Sequence, residues 1–371
     1  MPKLFKLNID YSKRVFGLDI LRALAIIEVV FVHGGIVLGN VDVGYPWFRL
    51  IPGVPLFFVL SGFLIGSILI KTFEDNKASI PVIFNFLKRR WFRTLPNYYL
   101  ILFLNIIVVY FGIIKEDFSQ FDFSFFVFSQ NLFQPFYGFF WESWSLTVEE
   151  WFYLTFPLLI AFVFLFFSSK KLKTVFLIAT LVYLLAPLIL RAIDLESSVL
   201  WRGNIIKGTV VHTLDSIAYG ILGAFLKKYY PIIWNKYKWP FFVMGMAVIV
   251  YIMNVDNIRW GDYYKIFSAP VLSLGILLVF PLADSIKTGN IHLVKAITHI
   301  SVISYSMYLI NLALVASVIR DNFMPVGIAQ SIVAYIAFWL IVIILSTALY
   351  KFYEKPLMDL RDKPFRLPFH R

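Results

Sequence analysis

The sequence predicts an all-α protein, a polytopic transmembrane bundle of about ten helices in a single membrane-embedded domain over residues 1–371. Hydrophobic residue types make up 60% of the 371 residues and charged types only 15%, and the mean hydropathy is +0.78. A soluble domain is closer to half apolar and a quarter charged, because polar groups must cover its surface. Apolar runs of about 20 residues, the length that crosses the hydrocarbon core, recur along the whole chain.

Each apolar run is predicted to cross the bilayer once. The first run follows a short basic segment that lacks a signal-peptide cleavage pattern, so we expect it to be retained as a membrane helix. The connection 116–143 is rich in Phe and Gln and is expected to lie over the outer mouth as a lid or interfacial segment. In chain order, the predicted spans are 17–38, 49–70, 94–114, 145–167, 174–192, 209–226, 239–254, 266–284, 298–318 and 327–349.

Basic residues predict how the bundle is oriented. With an even number of spans, both termini and every second connection lie on the same side of the membrane. Roughly three-quarters of the 34 Lys and Arg residues fall in these segments. Cytoplasmic loops carry such an excess of basic residues, so both termini are expected in the cytoplasm. The protein is expected in an inner or plasma membrane. The same rule explains the net charge of +12. We therefore predict membrane lipid, and no nucleic acid, as a partner.

Cysteine is absent, which excludes a thiolate nucleophile, a disulfide framework and a cysteine-based metal site. The chain has only 5 His. His212 and Asp215 share a helix face near the start of the sixth predicted span. One imidazole and one carboxylate are too few ligands for a metal, so we predict no metal site and no permanently bound cofactor.

Ionisable residues inside a span are costly and usually face a cavity or a partner. Arg22 and His33 are eleven residues apart in the first span, which is three turns plus about 20°, so they share one face with a rise of roughly 16 Å. Asp19 is placed to pair with Arg22. The structural alternative is that Arg22 extends toward the headgroups and His33 is a hydrogen-bonded interfacial residue. Glu28 lies on a different face.

The second and third spans add a small patch and a basic cluster. Ser61 and Gly62 are small residues in a bulky helix and permit close approach of a neighbouring helix. Arg89, Arg90 and Arg93 precede the third span on the side predicted to be cytoplasmic. They can anchor the topology against anionic lipid, or they can clamp the phosphates of a cytosolic cofactor, because Arg binds phosphate bidentately.

The fourth and ninth spans carry polar groups at helical spacing. Trp144 and Ser145 open the fourth span, and Glu149 lies one turn after Ser145 on the same face. Acidic residues also suit the positive end of a helix, so capping is the alternative role for Glu149. Tyr308 belongs to a polar stripe in the ninth span, which is equally typical of hydrogen bonds between helices.

In this order the motifs resemble the acyltransferase-3 family, which includes enzymes that O-acetylate bacterial surface polysaccharides. The resemblance covers approximately residues 17–356. The family's motifs are met, in chain order, by Arg22 and His33; by Phe57, Phe58, Ser61, Gly62 and Phe63; by Arg89, Arg90, Arg93 and Pro96; by Trp144, Ser145, Leu146, Glu149, Phe152 and Tyr153; by Tyr305, Ser306, Tyr308 and Leu309; and by Glu354 and Pro356. The chain departs from the pattern at Asn311 and Thr213, where many members carry His and Arg, and both departures bear on acceptor specificity.

The resemblance implies a membrane acyltransferase that moves an acyl group, with acetyl as the expected one, from the co-substrate acyl-CoA in the cytosol to a hydroxyl of a cell-surface glycan or lipid-linked sugar. Capsule, O-antigen, peptidoglycan sugars and small hydroxylated metabolites are all open as acceptors. The alternative, from a different class, is a transporter or flippase of a lipid-linked saccharide, in which intramembrane Arg, His and Glu form a proton or substrate pathway.

The resemblance also implies roles for individual residues. It makes His33 the general base, with Glu149 orienting the imidazole or binding the acceptor, and it leaves a covalent acyl-histidine open beside general-base catalysis. The CoA contacts that it implies are Arg22, Arg89, Arg90 and Arg93. The implied substrate contacts are Ser61, Trp144, Ser145, Asp215 and Tyr308.

Overall fold

Long helices make up the fold, and no strand occurs among the residues that the structure describes. A computed structural model describes residues 5, 7–39, 52–75, 79–135, 138–167, 171–196, 208–255 and 257–361. The α-helices are α1 Phe16–Gly34, α2 Gly53–Asp75, α3 Ile80–Tyr110, α4 Ser143–Phe164, α5 Leu172–Glu196, α6 Val210–Tyr229, α7 Pro231–Lys236, α8 Lys238–Asn254, α9 Asn257–Ser285, α10 Ile291–Ile310, α11 Val318–Asn322, α12 Ile328–Leu349 and α13 Lys355–Arg361. Two π-helical segments, Asn311–Ser317 and Tyr350–Glu354, continue α10 and α12.

A helix lies at each of the ten predicted spans, and 8 helical stretches of the described chain are long and apolar enough to cross a membrane. The two that fall short are α6, which carries an acidic residue inside and two lysines in its last turn, and α8, which has only 17 residues. At 1.5 Å per residue, α8 is about 26 Å long, somewhat less than the hydrocarbon core. The all-α, polytopic fold class is confirmed, and the orientation of the termini stays a prediction.

The third helix differs most from its predicted bounds. α3 begins at Ile80 rather than at residue 94, because extended Ser79 and Pro81 in the first turn form a favourable helix start. The arginine cluster therefore lies within a helix and not ahead of one. The predicted second span, 49–70, begins among residues 40–51, which lie outside the described residues, and its helix continues to Asp75.

The outer faces of the helices are apolar, as lipid contact requires. On α12, Val333 is 66% exposed and Leu340 is 55% exposed. Exposing an apolar side chain of this kind to water is unfavourable, but exposing it to lipid tails has no cost in free energy. The apolar exterior therefore fits the multi-pass membrane protein that the composition predicts.

Close contact between α2 and α6 depends on two glycines. A Cβ atom on Gly62 would lie 1.9 Å from the carbonyl oxygen of Ile217, and a Cβ atom on Gly220 would lie 2.0 Å from that of Val59. Both distances are far inside van der Waals contact, so no side chain fits at either position. The prediction that Gly62 permits close helix approach is confirmed.

Replacing Gly62 with Ala is expected to lower the free energy of unfolding by about 1–3 kcal/mol, because the methyl group forces α2 away from α6. The measurement is the midpoint of thermal unfolding in detergent, followed by tryptophan fluorescence. Gly35→Ala is the matched control, since nothing lies within 4 Å of a Cβ atom at that position. Equal midpoints for the two variants would contradict the backbone contact.

Candidate active site

A cavity of about 100 Å³ lies between α1, α2, α3, α4 and α10. It has a polar wall inside an otherwise apolar bundle, which in a membrane protein marks a functional site. The predicted site residues that line it are Arg22, Ser61, Arg90, Arg93, Ser145, Glu149 and Tyr308. Residues from five helices and five separate motifs thus meet at one place.

Three guanidinium groups belong to the cavity wall, one from α1 and two from α3. Arg90 and Arg93 lie three residues apart and therefore face the same way. Arg89 is rotated by about 100° from Arg90; it is exposed and is not part of the lining. The structure thus separates the predicted arginine cluster into two residues at the cavity and one outside it.

Asp19 is predicted to pair with Arg22, but in the structure its hydrogen-bonded ion pair is with Arg14. The Asp19 carboxylate accepts two hydrogen bonds from Arg14, one of them from Nε at 2.8 Å. It also accepts one from Ser301 Oγ at 2.7 Å and one from Thr298 Oγ1 at 3.3 Å. Asp19 and Arg22 are three residues apart on one helix, and this spacing suggested a pair. The carboxylate is instead bound by Arg14, which belongs to the extended chain before α1. The Arg22 side chain instead lines the cavity.

A chain of hydroxyl groups connects α2 with the acidic residue of α4. The Tyr153 hydroxyl donates to Glu149 Oε2 at 2.8 Å and lies 2.9 Å from Ser61 Oγ. Since the tyrosine proton is committed to Glu149, Ser61 is the donor in the second bond. Glu149 and Tyr153 are one turn apart on α4, which places both at the cavity. Glu149 is thus held by Tyr153, and the roles predicted for it, orienting the His33 imidazole or binding the acceptor, stay predictions.

A second hydroxyl pair forms the part of the wall nearest the start of α4. Ser145 Oγ lies 2.6 Å from the Tyr308 hydroxyl, which itself donates to the carbonyl oxygen of Glu142 at 3.0 Å. Ser145 is therefore the donor to Tyr308. The Tyr308 ring packs edge-on against Phe57, with the ring centroids 6.4 Å apart. These contacts join α4, α10 and α2.

His33 occupies the last turn of α1 and is half-buried. It does not line the cavity. Its Nδ1 lies 2.6 Å from Oδ1 of Asn311, the residue at which the α-helical part of α10 gives way to a π-helix. Asn311 follows Tyr308 by three residues, so His33 is connected to the part of the wall that contains Ser145.

Two predicted substrate contacts lie outside the cavity lining. Trp144 packs edge-on against Phe58, with the ring centroids 5.8 Å apart. Asp215 forms an ion pair with Arg191 of α5; the two side chains are 0% and 1% exposed. Many family members carry an Arg at the position of Thr213, close to this aspartate. In this chain the guanidinium that binds the aspartate comes from Arg191 on the neighbouring helix.

Sequence reasoning gave Glu354 no role beyond its place in the closing motif. Its Oε2 accepts hydrogen bonds from Asn97 Nδ2 and from Ser306 Oγ, both at 2.8 Å. The Tyr305 hydroxyl donates to the carbonyl oxygen of Thr94 at 2.8 Å. Together these bonds fasten α3 to α10 and to the second π-helix, next to the two arginines of α3 that line the cavity.

Glu142 and Glu28 are two further acidic residues for which the sequence indicated no role. Glu142 Oε1 accepts from the backbone N–H of Ala313 at 3.3 Å, while Oε2 has no hydrogen-bond partner among the described residues. Burial raises the pKa of Glu142 to about 8. Glu28 Oε2 accepts from the backbone N–H of Gly53 at 3.0 Å and thereby caps the start of α2.

Comparison with known proteins gives a family and several relatives. A family model, Acyl_transf_3, described as an acyltransferase domain, matches residues 15–351. The O-acetyltransferases OatA of Staphylococcus aureus strains NCTC 8325 / PS 47 and COL are each 27% identical to this chain over 391 residues, which cover 96% of this chain and 59% of the relative. The chain thus spans less than two-thirds of the length of these relatives. No solved structure matches it.

The family model covers the helices that build the cavity as well as the motifs that line it. It begins just before α1 and ends inside the second π-helix. The chain therefore belongs to the acyltransferase-3 family.

Proposed function

We propose that the protein is a membrane O-acyltransferase, which moves an acyl group, acetyl in the first instance, from cytosolic acyl-CoA to a hydroxyl of a cell-surface glycan or lipid-linked sugar. The observation that carries the proposal is the convergence of five family motifs on one cavity. The family model and the relatives named O-acetyltransferase support acyl transfer to oxygen.

The donor side of the proposal rests on the arginines. Arg22, Arg90 and Arg93 line the cavity from two helices, and guanidinium groups recognise phosphate through paired, charge-assisted hydrogen bonds. The phosphates of CoA would bind at these groups, on the side of the membrane where α1 begins. The face of α1 that bears Arg22 continues to His33, roughly 16 Å further along the axis. The pantetheine arm would follow this face.

The acceptor side of the proposal rests on His33. The acceptor hydroxyl oxygen attacks the thioester carbonyl carbon, the carbon–sulfur bond breaks, and CoA leaves as the thiol. Neutral His33 takes the hydroxyl proton and returns it to the leaving sulfur, so an ester and free CoA are the products. A positioned base of this kind contributes about 10²–10⁴-fold to a rate. The hydroxyls of Ser145 and Tyr308 are the proposed acceptor contacts in the cavity wall.

The test compares two arginines of one cluster. Arg93→Ala is expected to raise the KM for acetyl-CoA by about tenfold or more, because a charge-assisted hydrogen bond contributes about 1.5–3 kcal/mol. Arg89→Ala, which removes the same charge from an exposed position, is the matched control and should stay near wild type. The assay measures release of CoA and transfer of labelled acetyl groups by protein in nanodiscs, with a cell-envelope extract as acceptor.

Two results would contradict the proposal. Equal changes in KM for the two variants would mean that the cluster acts only as a topological anchor. A wild-type protein that binds no acetyl-CoA, even with the extract present, would favour a transporter of lipid-linked saccharide.

A further inference from the structure

The amide group of Asn311 has a fixed orientation. Its Nδ2 donates to the carbonyl oxygens of Met307 at 2.9 Å and Tyr308 at 2.8 Å, so both amide hydrogens are used. The side chain is completely buried. If the amide were turned over, Oδ1 would face two carbonyl oxygens and both hydrogen bonds would be lost, which is costly for buried groups. Oδ1 must therefore be the atom that faces His33.

This orientation determines which nitrogen of His33 carries the proton. The distance from Asn311 Oδ1 to His33 Nδ1 is 2.6 Å, and a carboxamide oxygen can only accept a hydrogen bond. Nδ1 must then be the donor. A neutral imidazole has a single N–H group, so the other nitrogen, Nε2, keeps its lone pair.

We infer that Asn311 is a positioning residue that holds neutral His33 as the Nδ1–H tautomer and thereby makes Nε2 the nitrogen that accepts the substrate's proton. The inference rests on the proposed function, in which His33 is the base. The group that orients the base is thus an uncharged amide from the π-helix that continues α10, and not the carboxylate of Glu149.

The backbone around Asn311 supports this role. Asn311 is the first residue of the π-helix, and the N–H of Ala313, two residues later, donates to Glu142. The carbonyl of Tyr308 accepts from the Asn311 amide, while the Tyr308 hydroxyl is bonded to Ser145 at the cavity. The imidazole is therefore coupled through Asn311 to the cavity wall. π-Helical turns within α-helices often occur at functional sites.

The departure from the family pattern at this position has a chemical meaning. A histidine in place of Asn311 could donate or accept toward His33 and could itself titrate near neutral pH. An amide does not titrate and, once its two hydrogens are bound, offers only an acceptor. In this chain the tautomer of His33 is thus independent of the protonation of its partner.

The test measures the tautomer directly and then the rate. In ¹³C,¹⁵N-histidine-labelled protein in lipid bilayers, solid-state NMR should show His33 with a proton on Nδ1 and none on Nε2. The chain has only 5 His, and His33→Ala assigns the signal. Asn311→Leu should yield both tautomers at His33 and lower kcat for acetyl transfer by about 10²-fold, with the KM for acetyl-CoA unchanged.

Asn105→Leu is the matched control. Asn105 is also completely buried and also donates to the carbonyl oxygen four residues earlier, that of Ile101, at 2.9 Å. It should leave the His33 spectrum and kcat as in the wild type. Equal losses of kcat in both leucine variants would reduce Asn311 to a structural role.

A proton on Nε2 of His33 in the wild-type spectrum would overturn the inference even if Asn311→Leu did not fold. This spectrum does not depend on turnover. A wild type that has the expected tautomer but transfers no acetyl group would therefore refute the proposed function and leave the tautomer assignment standing.

Discussion

His33→Ala is expected to abolish acyl transfer and to leave the bundle folded. The expected loss is at least about 10²–10⁴-fold, because no other base takes up the acceptor proton. The side chain lies at the end of α1 and is half-buried, so its removal costs little packing. The measurement is the initial rate of CoA release and of labelled product, with size-exclusion chromatography in detergent as the check on folding.

His299→Ala is the control for this prediction. His299 is also half-buried in a membrane helix, and its Nε2 lies 3.2 Å from Thr347 Oγ1, away from the cavity lining. It should keep wild-type activity. A His33→Ala protein with normal turnover would refute the assignment of the base. If acyl transfer runs through an acyl-histidine, rapid quenching should recover labelled acetyl on the wild-type protein and not on His33→Ala.

Arg191→Leu is expected to destabilise the protein by about 3–5 kcal/mol, because it leaves a buried carboxylate without its counter-charge. Arg191 donates to Asp215 from both Nη atoms, one at 3.2 Å, and from Nε to the carbonyl oxygen of Ile266 at 3.1 Å. The pair therefore joins α5, α6 and α9. The measurement is the midpoint of thermal unfolding in detergent.

The double variant Arg191→Leu/Asp215→Leu provides the critical comparison. Replacing both partners of a buried ion pair by apolar residues is often close to neutral, so the double variant should recover most of the lost stability. Its KM for acetyl-CoA should match that of the wild type, since neither side chain lines the cavity. A double variant as unstable as Arg191→Leu would show that the backbone contacts of Arg191 matter more than the charge pair.

Features with a local spacing rule could be predicted from the sequence. Apolar runs located the helices, because a helix must be about 20 residues long to cross a bilayer. Ser145 and Glu149 meet at the cavity because residues four apart share a helix face. For the same reason Gly62 could be recognised as a contact between helices, although the sequence did not indicate that α6 would be its partner.

Features that depend on how helices pack could not be predicted. Asp19 and Arg22 satisfy a spacing rule, yet Asp19 binds Arg14, which precedes the helix. Asp215 is bound by a residue 24 positions earlier on another helix. The choice among possible partners depends on the relative rotation of whole helices, and no periodicity in one segment contains that information.

A second limit is a change of helical geometry within a single span. The polar residues of α10 follow α-helical spacing. This helix ends at Ile310, and a π-helix begins at Asn311. Extrapolating the 3.6-residue period beyond this point misassigns faces, because π-helical bonds close over five residues. The contacts between Asn311 and His33 and between Ala313 and Glu142 both lie in this stretch.

Because π-helical hydrogen bonds close over five residues and not four, the segment Asn311–Ser317 takes up about one residue more than an α-helix of the same length would. Without this extra residue, the helix would still cross the bilayer. The residues after the segment would then be rotated by about 100° from their present direction relative to the residues before it. Shortening this segment by one residue would therefore break the present alignment of the α10 face with the residues that follow Ser317.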